Sequence, residues 1–238
     1  TPLSIWLALL LVGFTIAYVA VGFSSTTAWR RWLLAGCTAG LTIAGMVVEL
    51  PFHLTALPRA ARPKRVFVIG DSLAAGMGGE KVTWPRKLRE LTNIKIEDLS
   101  FAGANAASAL RKQANVIERD GDVADWVLIC IGGNDMLGGT KASDFGPQLD
   151  QLLAKARGDP EQPRTVLMLE LPIVPGAWAF ADWQRELAAK HGVVLIPKRL
   201  LAGIVLTDAN VLDGLHLSKL GHERMAEALA PWLGASSR

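Results

Sequence analysis

Hydrophobic residues dominate the first fifty positions of the chain, where they form two long apolar runs. Residues 3–23 carry no charged side chain, and a second apolar run covers residues 32–48. A helix needs about 20 apolar residues to cross a hydrocarbon core about 30 Å thick. The pattern therefore predicts two transmembrane helices, over about 3–23 and 32–50, that join into a membrane hairpin.

Two other interpretations of these runs are a signal peptide and a buried helix of a soluble domain. The first run lacks a basic start and exceeds the usual signal-peptide core, and a second apolar run follows it. Gly36, Gly40 and Gly45 are spaced so that helices can approach closely in lipid. They could pair the two helices of one chain or two copies of the chain, so a homo-oligomer is one expectation.

From residue 64 onward, short β-rich runs alternate with helical segments. The runs that predict strands cover 65–69, 94–99, 126–131, 165–171 and 193–196. The segments that predict helices cover 84–91, 106–118, 145–156, 179–190 and 219–232. This alternation predicts a parallel sheet with helices on both faces. The chain thus divides into an N-terminal membrane region, 1–58, and an α/β domain, 64–234.

Composition narrows the choice of partners. The chain has 238 residues, a mean hydropathy of +0.28 and a formal charge of +3. Its basic residues form no stripe with aromatic residues, so nucleic acid is not an expected partner. The clearest basic cluster follows the second apolar run, where cations meet lipid headgroups: Arg59, Arg62, Lys64 and Arg65.

The side of the membrane on which the domain lies is poorly determined by charge. Arg30 and Arg31 lie between the two runs, against four cations after the second run. The positive-inside rule therefore favours the cytoplasmic side for both ends of the hairpin.

The two cysteines, Cys37 and Cys130, are not expected to meet in a disulfide, and neither has neighbours at metal-ligand spacing.

Four short segments carry the candidate chemistry. In chain order they are Gly70-Asp71-Ser72-Leu73, Ser100-Phe101-Ala102-Gly103, Gly132-Gly133-Asn134-Asp135 and Asp213-Gly214-Leu215-His216. The first three follow the first three predicted strands, and the fourth precedes the last helix. Reacting groups of parallel sheets collect outside the carboxyl ends of the strands. We therefore expect all four segments at one edge.

The residue types in these segments match nucleophilic catalysis. A serine hydroxyl needs a base to remove its proton, and His216 is the best candidate base for Ser72. Asp213 can reach the imidazole of His216 within one loop and orient it. Taken singly, Ser72, Asn134 and His216 would be ordinary turn residues. We interpret Asp71 and Asp135 as residues that bind nearby backbone rather than as acid–base groups.

The same four motifs carry a family resemblance. The chain resembles the SGNH, or GDSL, hydrolases over about residues 64–233, and is most similar to their lysophospholipase/thioesterase I branch. The resemblance implies a flavodoxin-like three-layer α/β/α sandwich with strand order 2-1-3-4-5, no cofactor and no metal. It implies that the oxyanion hole consists of the N–H groups of Ser72 and Gly103 and the amide of Asn134. It favours a periplasmic domain, and Leu217 stands where the family often has proline.

The function expected from sequence is a membrane-anchored serine esterase that hydrolyses a lysophospholipid or other lipid ester through an acyl-Ser72 intermediate. The alternatives are a deacetylase of envelope glycans, an acyltransferase that uses a sugar or lipid alcohol, and a silent binding module. Trp178 and Phe180 could bind the acyl chain, pack on the domain or touch the bilayer.

Overall fold

The computed structural model describes most of the chain, in two compact units. The described residues are 5–23, 28–58, 61–77, 82–123, 125–172, 174 and 176–234. One unit is Thr1–Leu54 and the other is Thr55–Arg238. Each unit is described by itself below.

The first unit consists of two packed helices, α1 (Ile5–Phe23) and α2 (Ala28–His53). The predicted bounds of α2 were wrong at both ends. It begins at Ala28, within the predicted connection, and it continues through Pro51 to His53. Proline lacks the N–H of an i→i−4 hydrogen bond and its ring crowds the carbonyl of residue i−4, which is consistent with α2 ending two residues after Pro51.

Within the described residues, one helix is long and apolar enough to cross a membrane, at Trp32–His53. The span predicted over 3–23 coincides in large part with α1, but its first residues lie outside the described residues, and it stays a prediction. Whether Gly36 and Gly40 pair the helices of one chain or two copies of the chain stays a prediction. A Cβ atom added at Gly36 or Gly40 would meet no described atom within 4 Å.

The second unit contains a five-stranded sheet in which every neighbouring pair is parallel. The strands are β1 (Arg65–Gly70), β2 (Lys95–Asp98), β3 (Trp126–Cys130), β4 (Thr165–Leu169) and β5 (Val194–Ile196). Their order is β2-β1-β3-β4-β5. The predicted parallel sheet and its strand order are confirmed.

Eight helices of the second unit lie among the described residues. They are α3 (Ser72–Ala75), α4 (Trp84–Thr92), α5 (Ala106–Asp120), α6 (Gly133–Leu137), α7 (Ala142–Arg157), α8 (Trp178–His191), α9 (Lys198–Val205) and α10 (Lys219–Leu229). The five predicted helices are confirmed as α4, α5, α7, α8 and α10. The other three were missed. Two of these, α3 and α6, are too short to show a helical period in sequence.

Helices cover both faces of the sheet. Val66 and Val68 of β1 share one core cluster with residues of α4, α9 and α10. The alternate residues, Phe67 and Ile69, are also fully buried, on the opposite face. Because successive strand residues point to opposite faces, this burial pattern requires two helical layers around the sheet. The second layer is formed by α5, α7 and α8, which pack in that order.

Candidate active site

Ser72 lies where the chain leaves the central strand β1. The order of the strands reverses between β1 and β3, which makes a crevice at their carboxyl ends. Gly70 pairs with Cys130 of β3, so the loops after these two strands leave the sheet at the same level. A Cβ atom at Gly70 would lie 2.6 Å from the Cβ of Ala74, so only glycine lets α3 turn back so tightly. Ser72 is the first residue of α3 and is 9% exposed.

Asp71 holds the start of α3. Its side chain accepts a hydrogen bond of 2.9 Å from the N–H of Leu73 and so caps the helix that begins with Ser72. The carboxylate is 3% exposed. The prediction that Asp71 binds nearby backbone is confirmed.

The two loops with the predicted oxyanion donors are joined to each other. Asn134, in α6, donates its side-chain N–H to the carbonyl of Ala104 at 2.9 Å. Asp135 accepts a hydrogen bond of 2.9 Å from the N–H of Ala106, which confirms its predicted backbone role. Gly103 has φ +76°, and a Cβ atom there would meet no described atom within 4 Å. The backbone at Gly103 is therefore open to an incoming group.

Asp213 and His216 form a pair within one tight loop. The Asp213 carboxylate lies 2.7 Å from Nδ1 of His216 and accepts the N–H of His216 at 2.8 Å and that of Leu215 at 3.1 Å. This arrangement leaves Nε2 as the imidazole nitrogen that can act as a base. In the described chain no hydrogen bond joins His216 to Ser72. Burial raises the pKa of the Asp71 carboxyl group, which precedes Ser72, and the charge of His216 acts against that rise.

The loop is closed at its base and seated on α10. Val211 pairs with Leu217 in an antiparallel bridge, and Leu217 is 1% exposed. Leu217, the departure from the family pattern, thus fixes the loop in the core. A Cβ atom at Gly221 would lie 2.0 Å from the carbonyl oxygen of Asn210, so glycine is required where the loop meets α10.

The carboxyl groups of the site differ in their ionisation. Burial raises the pKa of Asp71 to about 6 and also raises the pKa of Asp135. Asp213 is the opposite case, because the N–H and the imidazole of His216 hold its pKa below the usual range. Asp213 is therefore ionised across the whole neutral and mildly acidic range.

Of the predicted substrate residues, Phe180 lies in the core. It is 7% exposed and its ring centroid is 5.0 Å from that of Phe145. The structure therefore favours the packing alternative for Phe180. Trp178 is half-buried at the start of α8. No group of three potential metal ligands occurs among the described residues.

Two glutamines that support the site were missed from the sequence. Gln113 of α5 binds both the N–H and the carbonyl of Gly70, each at 2.9 Å. Gln184 of α8 accepts the N–H of Leu171 at 2.9 Å and donates to the carbonyl of Leu169 at 3.3 Å. The signal that could have indicated this role is a glutamine at an otherwise apolar, buried position of each helix.

A charged pair that supports the same edge was also missed. The Arg185 guanidinium contacts the Glu170 carboxylate at 2.6 Å, and both side chains are buried. Glu170 also accepts the N–H of Lys198 at 3.0 Å. The pair therefore joins the end of β4 to α8 and α9.

The fold and the site together define a class. A three-layer sandwich with a serine at the switch point and an aspartate–histidine pair in the last loop has the architecture of the SGNH hydrolases. Residues 68–224 match the GDSL-like Lipase/Acylhydrolase family, and the chain belongs to that family. The protein is accordingly a serine ester hydrolase.

Two proteins of similar sequence align with this chain over nearly their whole length. Thioesterase 1/protease 1/lysophospholipase L1 of Escherichia coli strain K12 is 28% identical over 193 residues, which cover 78% of this chain and 91% of the relative. Esterase TesA of Pseudomonas aeruginosa is 24% identical over 215 residues, which cover 86% of this chain and 98% of the relative.

Solved structures show the same fold. The crystal structure of TesA aligns with a TM-score of 0.63 at 24% identity and covers 71% of this chain and 97% of its own. The psychrotrophic esterase EstA from a Pseudoalteromonas species aligns with a TM-score of 0.61 at 21% identity, over 72% of this chain and 99% of its own. The predicted three-layer fold is confirmed.

Proposed function

We propose that the protein is a membrane-anchored esterase that hydrolyses lysophospholipids or similar lipid esters through an acyl-Ser72 intermediate. The Asp213–His216 pair, at 2.7 Å in the loop before α10, is the observation that carries this proposal. His216 removes the proton of Ser72 as the hydroxyl attacks the ester carbonyl. The imidazolium then protonates the leaving alcohol, and water releases the acyl group by the same steps.

The oxyanion formed during attack would be stabilised by three N–H donors. They are the backbone N–H groups of Ser72 and Gly103 and the side-chain amide of Asn134. One N–H of Asn134 binds Ala104, and because an amide carries two N–H groups the other can donate to substrate. Such donors typically contribute about 2.7–4 kcal/mol each to transition-state stabilisation.

A lipid substrate is supported by apolar surface at the catalytic edge. Large hydrophobic side chains are exposed in segments that follow strand ends or flank the Asp213–His216 pair: Met77, Leu137, Val174, Leu212 and Leu215. Exposed apolar side chains around a polar centre are typical of a surface that takes up an apolar ligand. The apolar helix Trp32–His53 would hold the enzyme at a bilayer, and the Escherichia coli relative is named for lysophospholipase activity.

Acyl-chain preference tests the substrate class. We expect the full chain, purified in detergent, to hydrolyse p-nitrophenyl octanoate and palmitate faster than the acetate, with Ser72→Ala as the background. Activity on acetate alone would contradict a lipid ester and favour a deacetylase. Acyl transfer to an added alcohol in place of hydrolysis would identify an acyltransferase.

Membrane anchoring has a separate test. Membranes washed with carbonate should retain the protein if it is anchored.

Gly103 offers a test of the oxyanion donors. Gly103→Ala places a methyl group at φ +76° in the space left open to substrate. The backbone strain should lower the free energy of unfolding by about 1–2 kcal/mol, and displacement of the donor should lower kcat/KM by about 10²-fold. Ester kinetics measure the change in kcat/KM, and thermal unfolding of the same preparation measures the change in stability.

Gly139→Ala is the matched control for this variant. Gly139 has φ +81° and also has no described atom within 4 Å of an added Cβ, but it carries no predicted donor. It should lose similar stability and keep its kcat/KM. An equal loss of activity in both variants would show that strain, rather than a lost donor, explains the effect at Gly103.

A further inference from the structure

We propose that Gln113 is a positioning residue for ester hydrolysis, because it holds the backbone at Gly70, to which both the nucleophile Ser72 and the oxyanion loop are attached. The oxyanion loop is the segment between β2 and α5, residues 99–105. The inference rests on the proposed roles of Ser72 and of the N–H of Gly103. Gln113 acts through the backbone at Gly70 rather than by touching substrate.

Gly70 lies beyond the end of the hydrogen-bond ladder between β1 and β2. The last paired residues are Val68 and Asp98, and the N–H of Leu99 donates to the carbonyl of Val68 at 3.0 Å. Alternate residues of a strand direct their N–H and C=O groups to the same side, so those of Gly70 also point toward the β2 side. Because β2 ends at Asp98, the strand itself supplies no partner at this level.

The side-chain amide of Gln113 binds both polar groups of Gly70. Its oxygen accepts the N–H of Gly70 at 2.9 Å, and its NH₂ group donates to the carbonyl of Gly70 at 2.9 Å. Two facing residues of neighbouring strands can exchange the same pair of bonds. Gln113 is 2% exposed, so water does not compete for these bonds. The amide therefore takes the place of a strand partner and fixes the peptide groups on both sides of Gly70.

Ser72 follows Gly70 by two residues, and the turn between them is tightly packed. A Cβ atom added at Gly70 would lie 2.6 Å from the Cβ of Ala74 and 3.2 Å from the Cβ of Ser100. The N–H of Ala74 donates to the carbonyl of Asp71 at 3.0 Å, which ties α3 to the same turn. A rotation of the backbone at Gly70 would therefore move α3, and Ser72 with it.

The carbonyl of Gly70 also holds the oxyanion loop. It accepts the N–H of Phe101 at 3.3 Å as well as the amide of Gln113. Phe101 begins a four-residue turn, which the N–H of Ala104 closes on the carbonyl of Phe101 at 3.2 Å. Gly103 is the third residue of that turn, and its φ of +76° is close to the value of the third residue in a type II turn. The proposed N–H donor of Gly103 is thus fixed relative to Gly70.

Gln113 therefore sets the separation between the hydroxyl that attacks and one of the N–H groups that would receive the oxyanion. Both groups are attached to the backbone at Gly70, one through two residues of chain and the other through one hydrogen bond and a closed turn. A side chain in this place controls the geometry of attack rather than the affinity for substrate. Its loss should consequently lower kcat and leave KM nearly unchanged.

Gln113→Met tests this role, because methionine keeps the length and the helix propensity of the side chain and removes the amide. We expect kcat of the full chain in detergent to fall about 10²-fold for a p-nitrophenyl ester, the cost of a displacement of about 1 Å from the reactive geometry. The rate at which a fluorophosphonate labels Ser72 should fall by a similar factor. The final extent of labelling should stay complete, because the extent reports the folded fraction and the rate reports positioning.

Ile117→Ala is the matched control. Ile117 lies four residues after Gln113 on the same buried face of α5 and is also fully buried. Its truncation leaves a cavity in the core, so the Tm should fall at least as far as in Gln113→Met. The bonds between Gln113 and Gly70 remain, so kcat and the labelling rate should stay at their wild-type values.

A wild-type labelling rate in Gln113→Met, or an equal fall in Ile117→Ala, would overturn the inference. If Gln113→Met does not fold, Gln113→Asn decides, because its amide is one methylene shorter and cannot reach both groups of Gly70. That variant should label more slowly but completely, and a wild-type rate would again overturn the inference. Failure of the wild type to label at Ser72 would instead overturn the proposed function, so the two failures are distinct.

Discussion

Replacing Ser72 with alanine is expected to lower kcat for ester hydrolysis by about 10⁶-fold, the loss seen when a serine hydrolase loses its nucleophile. The variant keeps the backbone N–H at position 72 and the cap from Asp71, so the oxyanion site and the fold should remain. The measurements are steady-state hydrolysis of a p-nitrophenyl ester and covalent labelling by a fluorophosphonate, read as a mass increase on the intact protein.

A control serine separates loss of the nucleophile from a general effect of the substitution. Ser143 is an exposed residue near the start of α7, and Ser143→Ala should keep both activity and labelling. If Ser72→Ala were still labelled at wild-type rate, the nucleophile would lie elsewhere in the chain.

Replacing Asp213 with asparagine is expected to lower kcat by about 10⁴-fold with little change in stability. The asparagine oxygen can accept the N–H groups of Leu215 and His216, as the carboxylate does. Its NH₂ group would then donate to Nδ1 of His216. This moves the imidazole proton to Nε2 and removes the lone pair that should accept the proton of Ser72.

Asp208→Asn provides the comparison for this effect. Asp208 is an exposed acid in the segment that leads into the same loop, and its replacement should leave kcat unchanged. A kcat above one-tenth of wild type in Asp213→Asn would mean that the carboxylate does not orient the base. Thermal unfolding of both variants checks that neither has lost its fold.

The sheet could be predicted because three of its strands, β1, β3 and β4, are buried on both faces. Runs such as Val66 to Ile69 are apolar at every position, and each ends at a glycine or a loop motif, so their number and order along the chain are visible in sequence. Three of the four motif loops could be predicted for the same reason, since each follows a strand end, whereas the Asp213–His216 motif was placed by the helix that follows it. Whether Ser72 and His216 act together is a matter of chemistry that the variants above test.

Other features depend on contacts between distant residues, which no local pattern reveals. The pairing of Phe180 with Phe145 joins α8 to α7, and only the folded chain distinguishes that contact from an acyl site. The second apolar helix was predicted to end at about residue 50, but α2 continues through Pro51 to His53. The short helix at Ser72 is set by Gly70 and the cap of Asp71, which act over three residues rather than over a helical period.

The amide hydrogen bonds of Gln113 and Gln184 affect how the enzyme responds to pH and salt. The side-chain amide of Gln113 binds the backbone of Gly70, and that of Gln184 binds the backbone of Leu169 and Leu171. Each therefore joins a helix to the end of a strand through neutral groups. Neutral amides do not titrate, and salt screens them far less than it screens ion pairs. Acid or high salt should therefore inactivate the enzyme through its ionisable catalytic groups before the sheet and helices unfold.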